Sequence, residues 1–273
     1  MPIVTFWNDE RDQTGKTLTA VAVATRMAIE RNYKILLIST SFQDPTIKNC
    51  FWGDETQKTL KLFGIKSNNI AVEKATGEYI VLLNNDTEVI TGDWLKIMVG
   101  YAMQKHIGAV GPKLLYPDET VQHGGVILGL GGVASHAYIG ATRDDFGMYG
   151  RLRVPYNYSA CTAACLMIKK TKFLEVGGLE ENLKVAYNDI DFNIKLLEKG
   201  YYNVFLPNVE LLHYESKSRG LDTTSEKYKR FQLEEKYMYD KWKNKLTEDR
   251  FYNPNFSKKG WFMLDKADKK KKQ

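Results

Sequence analysis

Three short, continuous apolar runs constrain the chain most: Tyr33–Thr40 (YKILLIST), Glu78–Leu83 (EYIVLL) and Ala160–Lys169 (ACTAACLMIK). Each has the length of a strand, and none alternates strictly between apolar and polar residues. A strand that is apolar on both faces must be covered on both faces, as in a sheet flanked by helices. Segments of helix-forming composition surround these runs at Lys16–Arg31, Asn69–Thr76, Asp93–Gln104, Asp189–Lys199 and Ser225–Leu246. Further strands are expected at Pro2–Trp7, Ile107–Gly111 and Tyr202–Leu206. Strands alternating with helices predict an α/β fold built on an open sheet. Ligands of such sheets sit beyond the carboxyl ends of the strands.

Of the 273 residues, 43% are apolar and 26% charged, which excludes wholesale disorder and collagen-like architectures. Cys50, Cys161 and Cys165 show no CxxC spacing and read as reduced thiols of a cytoplasmic protein. No run of about 18 apolar residues is present, so no membrane-spanning helix is expected. The opening MPIVTFWNDERD does not read as a signal peptide. Part of the net charge of +6 lies in Lys266–Lys272. That lysine tail reads either as a solvated end or as a peripheral contact with anionic lipid at the inner face of the membrane. No nucleic-acid partner is expected, because no basic helix with base-reading side chains is present.

Three polar constellations follow apolar segments. Asn84, Asn85, Asp86, Thr87 and Glu88 close the strand ending at Leu83, where oxygen donors suit either a divalent cation or an Asx turn. Asn188, Asp189, Ile190 and Asp191 open a helix. Capping explains Asn188 and one acid but does not require two. A carboxylate held there could also serve as a general base. His213 ends an apolar strand, where it is either structural or a ligand facing Asp86.

Together these stretches resemble the catalytic part of the family 2 glycosyltransferases. The resemblance is carried by NNIAVEKATGEYIVLLNNDTEV, GPKLLYPDETVQHGGVILGLGG, ACTAACLMIKK, VGGLEENLKVAYNDIDFNIKLLEKGY, ELLHYESKSRG and FYNPNFS. It implies a GT-A-like (Rossmann-like) α/β fold, an open mixed sheet flanked by helices. It also implies inverting transfer of a sugar from a nucleotide-sugar donor to a glycan or lipid-linked acceptor of a bacterial surface polysaccharide. On that resemblance Asn84, Asp86 and His213 would bind the donor, with Asp86 and His213 holding a divalent metal, Mn or Mg. Asp189 would be the catalytic base. Thr162, Ala163 and Asp191 would contact the acceptor. Asn84 stands where the family's motif carries an aspartate.

The opening departs from that pattern. PIVTFWN, RDQTGKT and YKILLIST resemble the start of a ParA/MinD-type P-loop ATPase, so the chain reads as chimeric. Gly15, Lys16 and Thr17 are phosphate-binding candidates, although Glu10 stands where the P-loop fingerprint needs glycine. The expected division is a βαβ segment over 1–64 packed into the same sheet, a transferase region over 65–256 and a basic, disordered tail over 257–273. Replacement of the family's opening segment leaves donor binding open to impairment. A P-loop nucleotide-binding protein and an inactive chimera remain the alternatives.

Overall fold

The computed structural model describes residues 4–8, 37–40, 65–84, 86–214 and 225–264. In chain order they form β1 (Val4–Asn8), β2 (Leu37–Thr40), α1 (Ile65–Lys74), β3 (Tyr79–Leu83), β4 (Thr87–Val89), α2 (Trp94–Ala102) and β5 (Ile107–Leu115). There follow β6 (Val121–His123), β7 (Val126–Leu128), β8 (Ala134–His136), β9 (Tyr156–Tyr158), β10 (Cys165–Lys169) and α3 (Lys170–Glu175). The last elements are α4 (Asn188–Glu198), β11 (Tyr202–His213) and α5 (Ser225–Thr247). The helix expected at Lys16–Arg31 lies outside the described residues.

The main sheet runs β2-β1-β3-β10-β5-β11-β4, with β6 paired to β5 and β9 to β11. Strand β1 is parallel to both β2 and β3. Strand β10 is antiparallel to β3 and to β5, and β11 is parallel to β5 but antiparallel to β4. The carboxyl ends of β3, β5 and β11 therefore share an edge with the amino end of β10. This is the open mixed α/β sheet that the apolar runs and the resemblance imply.

Alternate residues of the central strands feed two cores. Tyr79, Val81, Cys165 and Met167 pack with Trp94, Leu95 and Met98 of α2. Ile80, Leu82, Leu166 and Ile168 pack with Val72 of α1, Phe173 of α3 and Phe192 and Leu196 of α4. Removing one such large side chain from water contributes about 1.5–3 kcal/mol. Both faces of β3 and β10 are thus covered, which is why their sequences are continuously apolar.

Three strands depart from their expected bounds. Strand β10 begins only at Cys165, because the preceding amides bond to side chains of α4: Cys161 to Asn193 Oδ1 at 3.2 Å and Ala163 to Asp189 Oδ2 at 3.1 Å. Strand β5 continues past Gly111 through Pro112 to Leu115. Pro112 lies opposite Leu206 of β11 and, on its other side, between the β10 partners, which end at Val110, and the β6 partners, which start at Leu114. Strand β11 continues through Pro207 to His213, and Pro207 lies within its register shift against β5. Gly125 precedes the β7–β8 hairpin with φ +96°, and a Cβ there would meet the Tyr158 ring at 2.4 Å.

Candidate functional site

The register of β4 against β11 sets Thr87 opposite His213. The Tyr214 amide also donates to the Asp86 carbonyl over 2.8 Å. These backbone bonds bring two sequence-distant side chains together. His213 Nε2 lies 3.2 Å from Asp86 Oδ1, and Asn84 Nδ2 lies 3.2 Å from the same nitrogen. The other ring nitrogen, Nδ1, is 2.6 Å from Gln122 Oε1. Asn84 is fixed in turn, since its amide donates to the Ala164 carbonyl over 2.8 Å and its carbonyl accepts from Thr87 Oγ1 over 2.7 Å.

Asp189 lies in the first turn of α4, after Tyr187 in the left-handed region at φ 63°. Its Oδ1 accepts the Ile190 amide at 2.9 Å and its Oδ2 accepts the Ala163 amide at 3.1 Å. A carboxylate oxygen has two lone-pair sites, so one amide apiece leaves acceptor capacity on both. Asn193 Nδ2 donates to the Asp189 carbonyl at 2.7 Å and to the Cys161 carbonyl at 2.9 Å. The same turn of backbone thus serves both corners. Ala164 holds Asn84, and its neighbour Ala163 holds Asp189. Thr162 is buried, and its hydroxyl oxygen is 3.3 Å from the Ala164 amide that donates to it.

Asp191 goes elsewhere. Two residues along a helix turn the side chain by about 200°, so Asp189 and Asp191 leave α4 in nearly opposite directions. Asp191 is 0% exposed. Its Oδ1 accepts from Trp242 Nε1 at 2.7 Å and lies 2.7 Å from Lys241 Nζ, while its Oδ2 lies 3.3 Å from Lys195 Nζ. This differs from the acceptor contact expected of Asp191: the carboxylate ties α4 to α5. Gly15, Lys16, Thr17 and Lys266–Lys272 lie outside the described residues.

Two supporting residues escaped the sequence reading. Glu234 on α5 accepts the amides of Lys184 at 3.0 Å, Val185 at 3.2 Å and Ala186 at 2.7 Å, fixing the loop that leads into Asp189. Its signal is its spacing: Phe231, Glu234, Met238 and Trp242 repeat at helical intervals, so a glutamate stands on an otherwise apolar stripe. Gln122 is a buried amide in the strand fragment VQH, beside His123. Burial, and then the neighbouring His136 and His213 rings, hold His123 well below the ordinary histidine range. Burial pushes the Cys161 thiol up to about 12 and raises that of Cys165 as well, so both are inert thiols.

No protein-family model matches the chain. The chain is 48% identical over 191 residues to the uncharacterized protein y4gI of Sinorhizobium fredii, covering 70% of this chain and 21% of that protein. It is 35% identical over 160 residues to the O-antigen biosynthesis protein RfbC of Myxococcus xanthus, covering 58% of this chain and 12% of that protein. It is 24% identical over 192 residues to the N-acetylglucosaminyl-diphospho-decaprenol L-rhamnosyltransferase of Mycobacterium tuberculosis, covering 66% of this chain and 61% of that protein. The chain therefore spans about a fifth of y4gI and about an eighth of RfbC. Among solved structures, GalNAc-T7 with UDP, GalNAc and Mn2+ superposes with a TM-score of 0.57 at 15% identity, over 88% of this chain and 49% of that one. No helix among the described residues is long and apolar enough to cross a membrane. The described sheet, its flanking helices and this superposition establish that the chain has the glycosyltransferase GT-A fold.

Proposed function

We propose that the chain is a family 2-like glycosyltransferase that moves a sugar, with inversion, from a nucleotide-diphosphate donor to a glycan or lipid-linked acceptor. The observation that carries this reading is the 3.2 Å approach of His213 Nε2 to Asp86 Oδ1 at the sheet edge where Asp189 is also anchored. The names of the matched proteins, O-antigen biosynthesis and rhamnosyltransferase, supply the substrate class.

The residues fit a divalent cation. Neighbouring ligands of an octahedral ion with bonds of about 2.1 Å stand about 3 Å apart, close to the observed Asp86–His213 spacing. Among the described residues no third His, Cys, Asp or Glu completes a cage. That suits a cation whose remaining sites go to donor phosphates and water. One imidazole and one carboxylate also favour Mn2+ over Mg2+. When bound, the ion would neutralise charge on the departing diphosphate. Asn84 would orient the donor beside it.

Asp189 is the general base of this reading. As the acceptor oxygen forms its bond to the anomeric carbon, its proton passes to an Asp189 carboxylate oxygen. The bond from that carbon to the diphosphate breaks, and the electron pair leaves with the diphosphate. The Ile190 and Ala163 amides keep the carboxylate aimed without occupying its remaining lone pairs. Thr162 and Ala163 border the acceptor in the same reading.

The reading keeps 65–256 as the transferase region and 1–64 as a segment whose strands β1 and β2 extend the same sheet. Residues 257–264 differ from the disordered tail expected there, because Lys258 Nζ donates to the Leu128 carbonyl over 2.6 Å and the Phe262 ring stacks on Tyr138. Cytoplasmic action with the lysine tail against anionic lipid belongs to the reading too. No observation among the described residues favours the P-loop ATPase or the inactive chimera. The test is a thermal-shift panel of UDP-, GDP- and dTDP-sugars with Mn2+, followed by mass spectrometry of transfer products. At a hundredfold excess over Kd a bound donor adds about 2.7 kcal/mol to apparent stability. A shift with one donor, lost in Asp86→Ala, supports the reading. No shift across the panel, or equal shifts in Asp86→Ala, overturns it.

A further inference from the structure

We propose that Gln122 is the positioning residue that turns the lone pair of His213 Nε2 toward the metal. The proposal rests on the metal reading above and adds what aims the imidazole.

Gln122 lies on β6, and its side-chain amide touches His213 twice. Its Nε2 is 3.3 Å from the His213 carbonyl oxygen, and its Oε1 is 2.6 Å from His213 Nδ1. The two ends of an amide have nearly the same shape, so its orientation follows from its partners. A carbonyl oxygen only accepts, so the end facing the His213 carbonyl is the NH2. The opposite end is then the amide oxygen, which also only accepts. The ring nitrogen facing that oxygen must donate, which places a hydrogen on Nδ1. An imidazole that binds a metal does so as the neutral ring with one N–H, so with that hydrogen held on Nδ1 the nitrogen left to coordinate is Nε2. That nitrogen is on the side of Asp86 and Asn84. The Asn84 side-chain amide lies 3.2 Å from the same nitrogen.

The main-chain carbonyl of His213 therefore selects the tautomer of its own ring, with Gln122 as the intermediary. Gln122 is held in place as well, since its carbonyl accepts from Nδ1 of His136 on β8 over 3.0 Å. A metal-binding histidine whose second nitrogen lacks such a partner loses both its orientation and part of its basicity.

The test uses the full chain without metal and then with Mn2+ alone. Long-range proton–nitrogen NMR reads the His213 tautomer, and electron paramagnetic resonance of free Mn2+ reads affinity. Wild type should show the Nδ1–H form. Gln122→Met, close to the same size without polar ends, should lose that form and bind Mn2+ about 10–100-fold more weakly. Gln122→Glu keeps an accepting oxygen and should hold both the tautomer and the affinity to within a few-fold. If Gln122→Met retains the Nδ1–H form, or binds Mn2+ within twofold of wild type, the proposal is overturned while the metal site stands. If His213→Ala binds Mn2+ as well as wild type, the metal reading fails and the proposal falls with it, even where Gln122 proves to set the tautomer. Should Gln122→Met not fold, Gln122→Glu decides: a folded variant that loses the Nδ1–H form overturns the proposal, and one that keeps it supports the proposal.

Discussion

The Ala163 amide donates to Asp189 Oδ2 across 3.1 Å, joining the segment that leads into β10 to the first turn of α4. One residue later, the Ala164 carbonyl accepts the Asn84 amide at 2.8 Å. Two main-chain groups of adjacent residues therefore tie the carboxylate at a helix start to the turn that closes β3. In the transferase reading, general base and donor corner keep their spacing through this connection rather than through any direct contact.

Asp189→Asn tests the base. Asparagine has one accepting oxygen for the two amides that Asp189 takes, so either the Ile190 or the Ala163 N–H loses its acceptor, and stability should fall by about 1–3 kcal/mol. Asparagine cannot take a proton at neutral pH. At a temperature where the variant is still folded, sugar transfer should fall by about 10²–10⁴ with donor binding nearly unchanged. Turnover within a few-fold of wild type would reject Asp189.

Asp191 should behave in the opposite way. Asp191→Ala removes the partner of Lys241, Lys195 and the Trp242 indole. Urea denaturation should show a loss of about 2–4 kcal/mol. A stability loss under 0.5 kcal/mol would mean that the tie between α4 and α5 carries little.

Glu234→Ala leaves three loop amides without their acceptor. The expected loss is again about 2–4 kcal/mol. Hydrogen exchange at residues 184–186 should accelerate more than exchange in β3. Uniform acceleration across both would show that the loop is not a local unit.

Acid should weaken the fold partly through Glu180. Burial pushes its pKa up, but the Tyr237 hydroxyl, the Asn182 amide and the Lys241 ammonium outweigh that and hold it down to about 2. A carboxylate held below its unfolded value of about 4.3 stabilises the fold above that pH and loses the effect as pH falls toward the folded value. Stability of wild type should therefore drop between about pH 4 and pH 2. Glu180→Gln should be less stable at neutral pH and flatter across that window. An unchanged acid slope would remove Glu180 from the account.

Gly125→Ala should destabilise by about 2–4 kcal/mol, since it adds a positive-φ strain to a collision with Tyr158. A thermal midpoint equal to wild type would show that the ring moves aside without cost.

Much of this was legible in the chain where local pattern decides structure. The run Tyr79–Leu83 is apolar because both of its faces are covered, and Asp189 opens a helix because the apolar spacing resumes after it. The long-range features were not legible in that way. That Thr87 pairs with His213, and so brings Asp86 to an imidazole, depends on strand register between distant segments. Asp189 and Asp191 look alike in sequence, and only the turn of the helix sends one to the sheet edge and the other into the core. Strands β5 and β11 looked shorter than they are because proline interrupts each, and the tolerance of proline there depends on which neighbour is paired at that point.

The group that anchors Asp189 at position 163 is a backbone N–H, which every amino acid except proline carries. The side chain at 163 is thereby released from the task of holding the aspartate. Substitutions there can reshape the adjoining surface while the anchor persists, and proline alone should break it. In the transferase reading, position 163 is thus a natural place for a saturation library aimed at changing acceptor preference, with its own built-in negative control.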